Sequence, residues 1–397
     1  MKRLYLSTFL TCLAVVAAVI AGQRMSGLSS GMKLLRVGFI CESDESGPYT
    51  YNFTLAESAL EEIYGSQIEV YVKRNILDSD IEVPVQELAQ KGCSLLFYNG
   101  HSLKYKDLAL EYPEIEFCQV SCFDTTGRTF QQNYHSFNGL AYQGRYVSGI
   151  AAGCKLQSMI SNGEISAENA LVGFIASYET PEIISGFTAF LLGVRSVVPE
   201  ARMKVMYTDS WSSFQREKEC AGQLIREGCI AISHHTDSIA AAVVCEEAAS
   251  SKVFFVGYND SMLDVAPTTA LVSTRINWLP YITEAVEAVM ESKPIEKTVD
   301  AKANGTDMSA GFEKGWVEMM ELNSRVAAPG TQKKMDEAVR ALKKNLIQVF
   351  KGDYIGTDPV DPDDTIDLNG GYIENEYSSL PTFHYILNDI IQTEWYG

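Results

Sequence analysis

Two spacings of apolar residues alternate along the chain. Short runs rich in β-branched and aromatic residues are separated by stretches in which apolar positions return every three to four residues. "RVGFIC" (36–41) reads as a strand. Phe53, Ala56, Leu60 and Ile63 then follow at helical spacing, and Gly65 ends the pattern. "QIEVYV" (67–72) predicts a strand, "VPVQELAQKG" (83–92) a helix stopped by glycine, and "SLLFY" (94–98) a strand. Residues 103–110 predict a short helix and "EIEFCQV" (114–120) another strand. This alternation predicts a parallel sheet with helices on both faces.

Residues 140–156 predict a helix rich in small residues, with Gly144, Gly149 and Gly153 placed for close packing on a neighbour. The alternation then restarts. "ALVGFIA" (170–176), "MKVMY" (203–207), "CIAIS" (229–233), "KVFFVGY" (252–258) and "ALVSTRI" (270–276) read as strands separated by helices. The fold class is therefore α/β, with two doubly wound parallel-sheet lobes joined by a hinge. Lobe 1 is expected over 36–157 together with about 278–330, and lobe 2 over 158–277. A basic helix and a tail rich in Asp, Pro and Gly make up 331–397. The tail has turn chemistry suited to a small hairpin, and Tyr354, Tyr372 and Tyr377 favour an ordered wrap over a solvated linker.

The N-terminus carries a targeting pattern. Met1-Lys2-Arg3 precedes "LYLSTFLTCLAVVAAVIA" (4–21), which has no charge. Residues 1–21 read as a signal peptide with a small-residue cleavage site at Val19-Ile20-Ala21. Left uncleaved, they make a membrane anchor just long enough to span. Cys12 fits a lipidation signal poorly, and 22–35 reads as a flexible linker.

A chain of 397 residues that is 46% apolar and 21% charged can bury two lobes. A net charge of −19 argues against a nucleic-acid partner, because phosphate is repelled. Among nine cysteines there is no C-x-x-C pair, so no metal is expected. Cys41, Cys93, Cys118, Cys229 and Cys245 lie in or beside apolar runs and read as buried thiols. Disulfides involving Cys118, Cys122 or Cys154 stay open.

In open parallel sheets ligands sit beyond the carboxyl ends of strands. After the first strand, Tyr49, Thr50, Tyr51 and Asn52 precede a helix, where Thr50 or Asn52 could also cap. Later strands end in "TDSW", "HHTDS", "NDSM" and "NWLPY", which marks a small-molecule cleft. "SHHTDS" (233–238) holds the ingredients of a nucleophilic triad, but adjacent Asp237 and Ser238 cannot converge as a triad requires. Thr236 and Asp237 fit a hydrogen-bonding loop better. Gly27–Gly31 matches G-x-S-x-G by letters alone, inside the linker. No G-x-G-x-x-G follows the first strand and no P-loop occurs, so no catalytic residue and no cofactor are expected.

These segments together resemble the basic membrane protein family, the purine-binding lipoprotein receptors of ABC importers with a type I periplasmic binding protein fold. The resemblance rests on "GPYTYNFTLAESALEEIYG", "YQGRYVSGIAAG", "SYETPEIISGFTAFLLGVRSVVPEARMKVMYTDSW", "HHTDS", "VGYNDSM", "VSTRINWLPY" and "QTEWYG", in that order. It implies a purine base or nucleoside held between the lobes. Tyr49, Tyr51 and Trp211 would wall the base, and Asp237, Asn259 and Asp260 would hydrogen-bond it. Thr50, Asn52, Tyr178, Thr236 and Trp278 complete the expected ligand-binding set. The nucleoside receptors carry an acidic residue where Asn259 stands and a lysine near Ile276. Their absence favours a free base such as adenine. The family's lipidation motif is missing too. The implied partners are a purine, ABC permease subunits and, through the N-terminal segment, the membrane, with the receptor itself a monomer outside the cytoplasm. A membrane-tethered sensor and a nucleoside hydrolase are the alternative readings.

Overall fold

A computed structural model describes residues 34–121 and 131–397. The signal or anchor segment, most of the linker, Cys12, the Gly27–Gly31 match and Cys122 lie outside the described residues. Among the described residues no helix is long and apolar enough to cross a membrane.

The first half builds strand by strand as β1 (Leu35–Ile40), α1 (Pro48–Tyr64), β2 (Ile68–Lys73), α2 (Glu82–Gln90), β3 (Leu95–Tyr98), α3 (Lys104–Glu111), β4 (Glu116–Val120) and β5 (Tyr134–Gly139). A long helix, α4 (Ala141–Ser161), leads to β6 (Leu171–Ala176), α5 (Pro181–Arg195), β7 (Arg202–Tyr207), α6 (Phe214–Arg226), β8 (Ala231–His235) and α7 (Ala240–Glu247). After these come β9 (Phe254–Tyr258), β10 (Ala270–Ile276), α8 (Leu279–Met290) and α9 (Ile295–Thr298). Three short strands follow, β11 (Lys302–Asn304), β12 (Asp307–Ala310) and β13 (Val317–Met319). The chain closes with α10 (Thr331–Lys343), β14 (Ile355–Thr357), β15 (Thr365–Asp367), β16 (Ile386–Leu387) and β17 (Ile391–Trp395).

Two seven-stranded sheets result, ordered β11-β12-β5-β4-β3-β1-β2 and β13-β10-β9-β8-β6-β7-β17. Pairing is parallel except at β11 and β13. Apolar cores fill both faces of each sheet, as doubly wound strands require. The fold is the expected α/β arrangement of two lobes.

Three differences from the sequence expectation have physical causes. Strand β5, "YHSFNG", shows no apolar run, because it buries polar side chains, two of them paired with acidic partners. Ser136 Oγ donates to Asp307 at 2.7 Å and His135 Nε2 lies 2.8 Å from Glu116. Helix α1 starts at Pro48, so Tyr49–Asn52 lie inside its first turns and neither Thr50 nor Asn52 caps it. Strand β8 extends through His234 and His235, two residues beyond the apolar run.

The expected changeover between lobes at 157 falls elsewhere in the packing. Buried α4 residues from Val147 to Met159 share one core with Phe174 and Val205 of the second sheet. The glycines explain the fit. A Cβ on Gly149 would sit 2.1 Å from the Phe190 carbonyl oxygen, and one on Gly193 2.1 Å from that of Tyr146. Likewise β13, within the expected lobe 1 range, pairs with β10 of the second sheet. The tail forms a small antiparallel sheet, β15-β14-β16, and then β17 lies parallel beside β7. The seven described cysteines are buried free thiols, Cys118 and Cys154 among them.

Three chain segments cross between the sheets side by side. Leu140 N–H donates to the Ala310 carbonyl at 2.9 Å, and Asn277 N–H to that of Trp316 at 2.8 Å. A Cβ on Gly139 would lie 2.7 Å from Ile276, so the crossing needs glycine there.

Candidate functional site

A cavity of about 330 Å³ opens between the two sheets at the carboxyl ends of their strands. Loops after β1, β2, β3 and β4, the start of α1 and residue Asn138 of β5 supply one wall. The start of α5 and the ends of β7, β8 and β9 supply the other, and Ile276 and Trp278 lie at the crossover.

Six of the expected residues meet there: Tyr49, Trp211, Thr236, Asp237, Asn259 and Trp278. Tyr49, in the first turn of α1, donates its hydroxyl to the Asn99 carbonyl and packs edge-on against Trp278. Trp278 is 2% exposed and sits largely in the lobe 1 core against Phe53 and Phe137, with its indole N–H unpartnered among the described residues. Trp211 comes from the second lobe and stacks on His101 of the first, with ring centroids 5.6 Å apart and planes 13° apart. Asn259 takes a left-handed backbone, φ +66°, after β9, which turns the chain across the cavity floor.

The other five do not line it. Thr50 is fully buried and its hydroxyl pairs with Ser43 at 2.6 Å. Asn52 donates to the Ile276 carbonyl and so ties α1 to the crossover. Tyr51 points outward, 38% exposed. Tyr178 buttresses the back of Trp211, with centroids 5.2 Å apart. Asp260 accepts from the N–H of Ser261 at 2.7 Å.

The "SHHTDS" segment works as a scaffold for the wall. Glu217 of α6 is buried and accepts from Thr236 Oγ at 2.8 Å, Ser238 Oγ at 2.7 Å and the Ser213 N–H at 3.0 Å. The hydroxyls of Thr236 and Ser238 are thus committed to Glu217. Asp237 is left facing the gap. Its Oδ1 accepts the Tyr49 N–H at 2.7 Å, so a carboxylate of one lobe caps the first turn of a helix in the other. Burial raises its pKa to about 6, against the pull of that hydrogen bond, and the charges of Glu42 and Glu217 add to the rise.

Four carboxylates line the cavity, Glu42, Asp78, Glu182 and Asp237, and no lysine or arginine does so among the described residues. Burial raises the pKa of Glu182 as well, with His101 and Arg145 pulling the other way. His101 is raised. Burial opposes its charge, but the Glu42 carboxylate, 3.4 Å from Nδ1, outweighs that cost. Beneath the floor Arg145 of α4 is 1% exposed. It donates to the His234 carbonyl at 2.9 Å and lies 3.5 Å over the Tyr258 ring. Burial and the Arg145 charge together keep His234 and His235 neutral, with His234 lowered to about 3. Aromatic walls ringed by polar strand ends suit the binding of a small molecule.

Sequence reasoning missed Glu42, His101, Glu182, His235 and Tyr258 as lining residues. Glu42 and Glu182 each follow a strand end, the position rule already used for the others. Tyr258 was hidden because it closes an apolar run. Asp358, Asp364 and His384 bring possible ligand atoms within 4.8 Å of one another in the tail, and none of the three lines the cavity.

Comparison with known proteins agrees with this architecture. Residues 43–351 match the family described as Bmp, ABC transporter substrate-binding protein PnrA-like. A purine-binding protein of Brucella abortus is 29% identical over 349 residues, 85% of this chain and 89% of that protein. A putative ABC transporter glucose-binding protein of Haloferax volcanii is 28% identical over 257 residues, 64% of this chain and 60% of that protein. A solute-binding protein of Aeropyrum pernix shares the fold, with a TM-score of 0.63 at 15% identity over 78% of this chain and 92% of that one. The chain therefore belongs to the PnrA-like family of ABC transporter substrate-binding proteins, a family of receptors and not of enzymes.

Proposed function

We propose that this chain is the receptor of an ABC importer outside the cytoplasm, and that it closes around a purine base. The observation that carries the reading is the cavity itself. Aromatic rings from both lobes wall it, Tyr49 on one side and Trp211 on the other, and polar strand ends surround them. Stacking on such rings contributes about 1–3 kcal/mol per base. A micromolar dissociation constant needs about −8 kcal/mol, which stacking plus several buried hydrogen bonds supplies.

Ile276 lines the cavity where the resemblance to nucleoside receptors implies a lysine nearby, and Asn259 stands in place of an acidic residue. Both favour a free base such as adenine over a nucleoside. The purine-binding relative supports the same class. The side-by-side crossovers make the hinge. The Asp237–Tyr49 bond and the His101–Trp211 stack, across the gap, make the contacts of the closed state. The closed receptor then engages its permease as a monomer, held near the membrane by its N-terminal segment.

A thermal-shift panel of bases, nucleosides, sugars and amino acids tests the proposal. Adenine at a hundred times its dissociation constant should stabilise the protein by about 2.7 kcal/mol. Trp211→Ala should lose much of that shift while melting normally when empty. A melt moved only by sugars, such as glucose, contradicts the purine reading.

A further inference from the structure

The carboxylates around the cavity are not equivalent. Asp237 accepts from the Tyr49 N–H, Asp78 from the His101 N–H at 3.0 Å and from the Tyr98 hydroxyl, and Glu42 faces His101 Nδ1 at 3.4 Å. Glu182 differs. His235 Nε2 stands 3.7 Å from its Oε1, beyond hydrogen-bonding distance, and no described residue donates to its carboxylate. His235 is held neutral, so it supplies no charge either. Arg145 is directed elsewhere, to the His234 carbonyl and the Tyr258 ring.

The Glu182 side chain is 29% exposed, and a part-buried carboxylate that lacks a protein donor is one that a ligand can complete. Glu182 stands in the first turn of α5, just after Pro181, so its backbone position is fixed by the helix start. It faces a cavity whose aromatic rings come from the two lobes. Rings that hold the faces of a flat heterocycle leave its edge to the side wall. The group that projects furthest in that plane from an aminopurine is the exocyclic amine, which offers an N–H donor to a carboxylate oxygen.

We propose that Glu182 is the specificity-determining acceptor of the site, reading the exocyclic amine of an aminopurine. The inference rests on the purine reading and adds to it the ligand's chemical edge. It also implies weaker binding of phosphorylated forms, because the four carboxylates that line the cavity repel a phosphate.

Calorimetric titration of the full chain separates these ideas. The probes are adenine against unsubstituted purine, guanine against hypoxanthine, and adenosine 5′-monophosphate, with wild type and Glu182→Gln. In wild type, the amine-bearing member of at least one pair should bind between about ten- and a hundredfold tighter, the range for a hydrogen bond to a charged group. Adenosine 5′-monophosphate should bind at least about tenfold more weakly than that base. In Glu182→Gln the amine preference should fall to within about threefold, and the empty variant should melt at or above the wild-type temperature because an unpartnered charge has gone. An unchanged amine preference in Glu182→Gln, a wild type indifferent to the amine, or an empty variant that melts several degrees lower overturns the assignment while leaving a purine receptor. If no purine binds wild type, the functional reading falls and this inference with it.

Discussion

His234 and His235 carry the site's clearest pH signature. Both rings are buried at the end of β8, His234 fully, and burial keeps them from taking up protons. The unfolded chain protonates them below about pH 6.5, so it binds protons the folded chain does not, and stability falls as the pH drops. At pH 5, one and a half units below the ordinary value, each ring costs about 2 kcal/mol. Asp237 acts in the opposite sense. The folded chain holds its proton up to about pH 6, so its contribution is present in acid and is lost as pH rises from about 4 to 6. Melting curves of wild type and His234→Gln between pH 5 and 7 separate the two, since Asp237 is common to both. At pH 5 the variant should be spared about 2 kcal/mol of the acid destabilisation, the share of one ring, and equal slopes would contradict the account. At this scale the sequence showed which residue types gather at strand ends but not which way each one points. Thr50, Tyr51 and Asn52 follow Tyr49 directly, and the helical turn sends them to core, solvent and crossover in turn. An irregular loop in the same place could have aimed several of them at the cavity.

At the scale of elements, the pairing of α4 with α5 is the tightest contact set by sequence. Gly149 and Gly193 let each helix approach the other's carbonyl oxygens, so Gly149→Ala would place a methyl group 2.1 Å from the Phe190 oxygen. Overpacking of this kind costs about 1–3 kcal/mol. The urea midpoint of Gly149→Ala should fall accordingly, and an unchanged midpoint would mean the helices can slide apart freely. This contact was legible, since three glycines spaced along one helix have few other uses. Strand β5 was not, because apolar periodicity cannot report polar residues buried by partners more than a hundred positions away, such as Ser136 with Asp307. The same blindness hid β17, whose "IQTEW" pairs with β7 and puts Trp395 against Tyr207, 4.8 Å between centroids.

For the whole molecule, the order of strands and helices predicted two lobes, and the structure has them. Their relation could not be read from periodicity. Which face meets which depends on three crossovers that touch at Gly139, Ile276 and Trp316. It also depends on two contacts across the gap, Asp237 with Tyr49 and His101 with Trp211. In the proposed cycle the hinge leaves the lobes free to separate, and a ligand that touches both shifts the balance to the closed form. An empty closed form gathers carboxylates of both lobes around one cavity, which makes it unfavourable without a donor-bearing guest. A crystal structure of the chain grown with adenine tests this most directly. The account predicts a flat ring between the lobes, in contact with Trp211 and Tyr49 and with its amine toward Glu182. Closed lobes with that space unfilled, or adenine bound elsewhere on the surface, would contradict it.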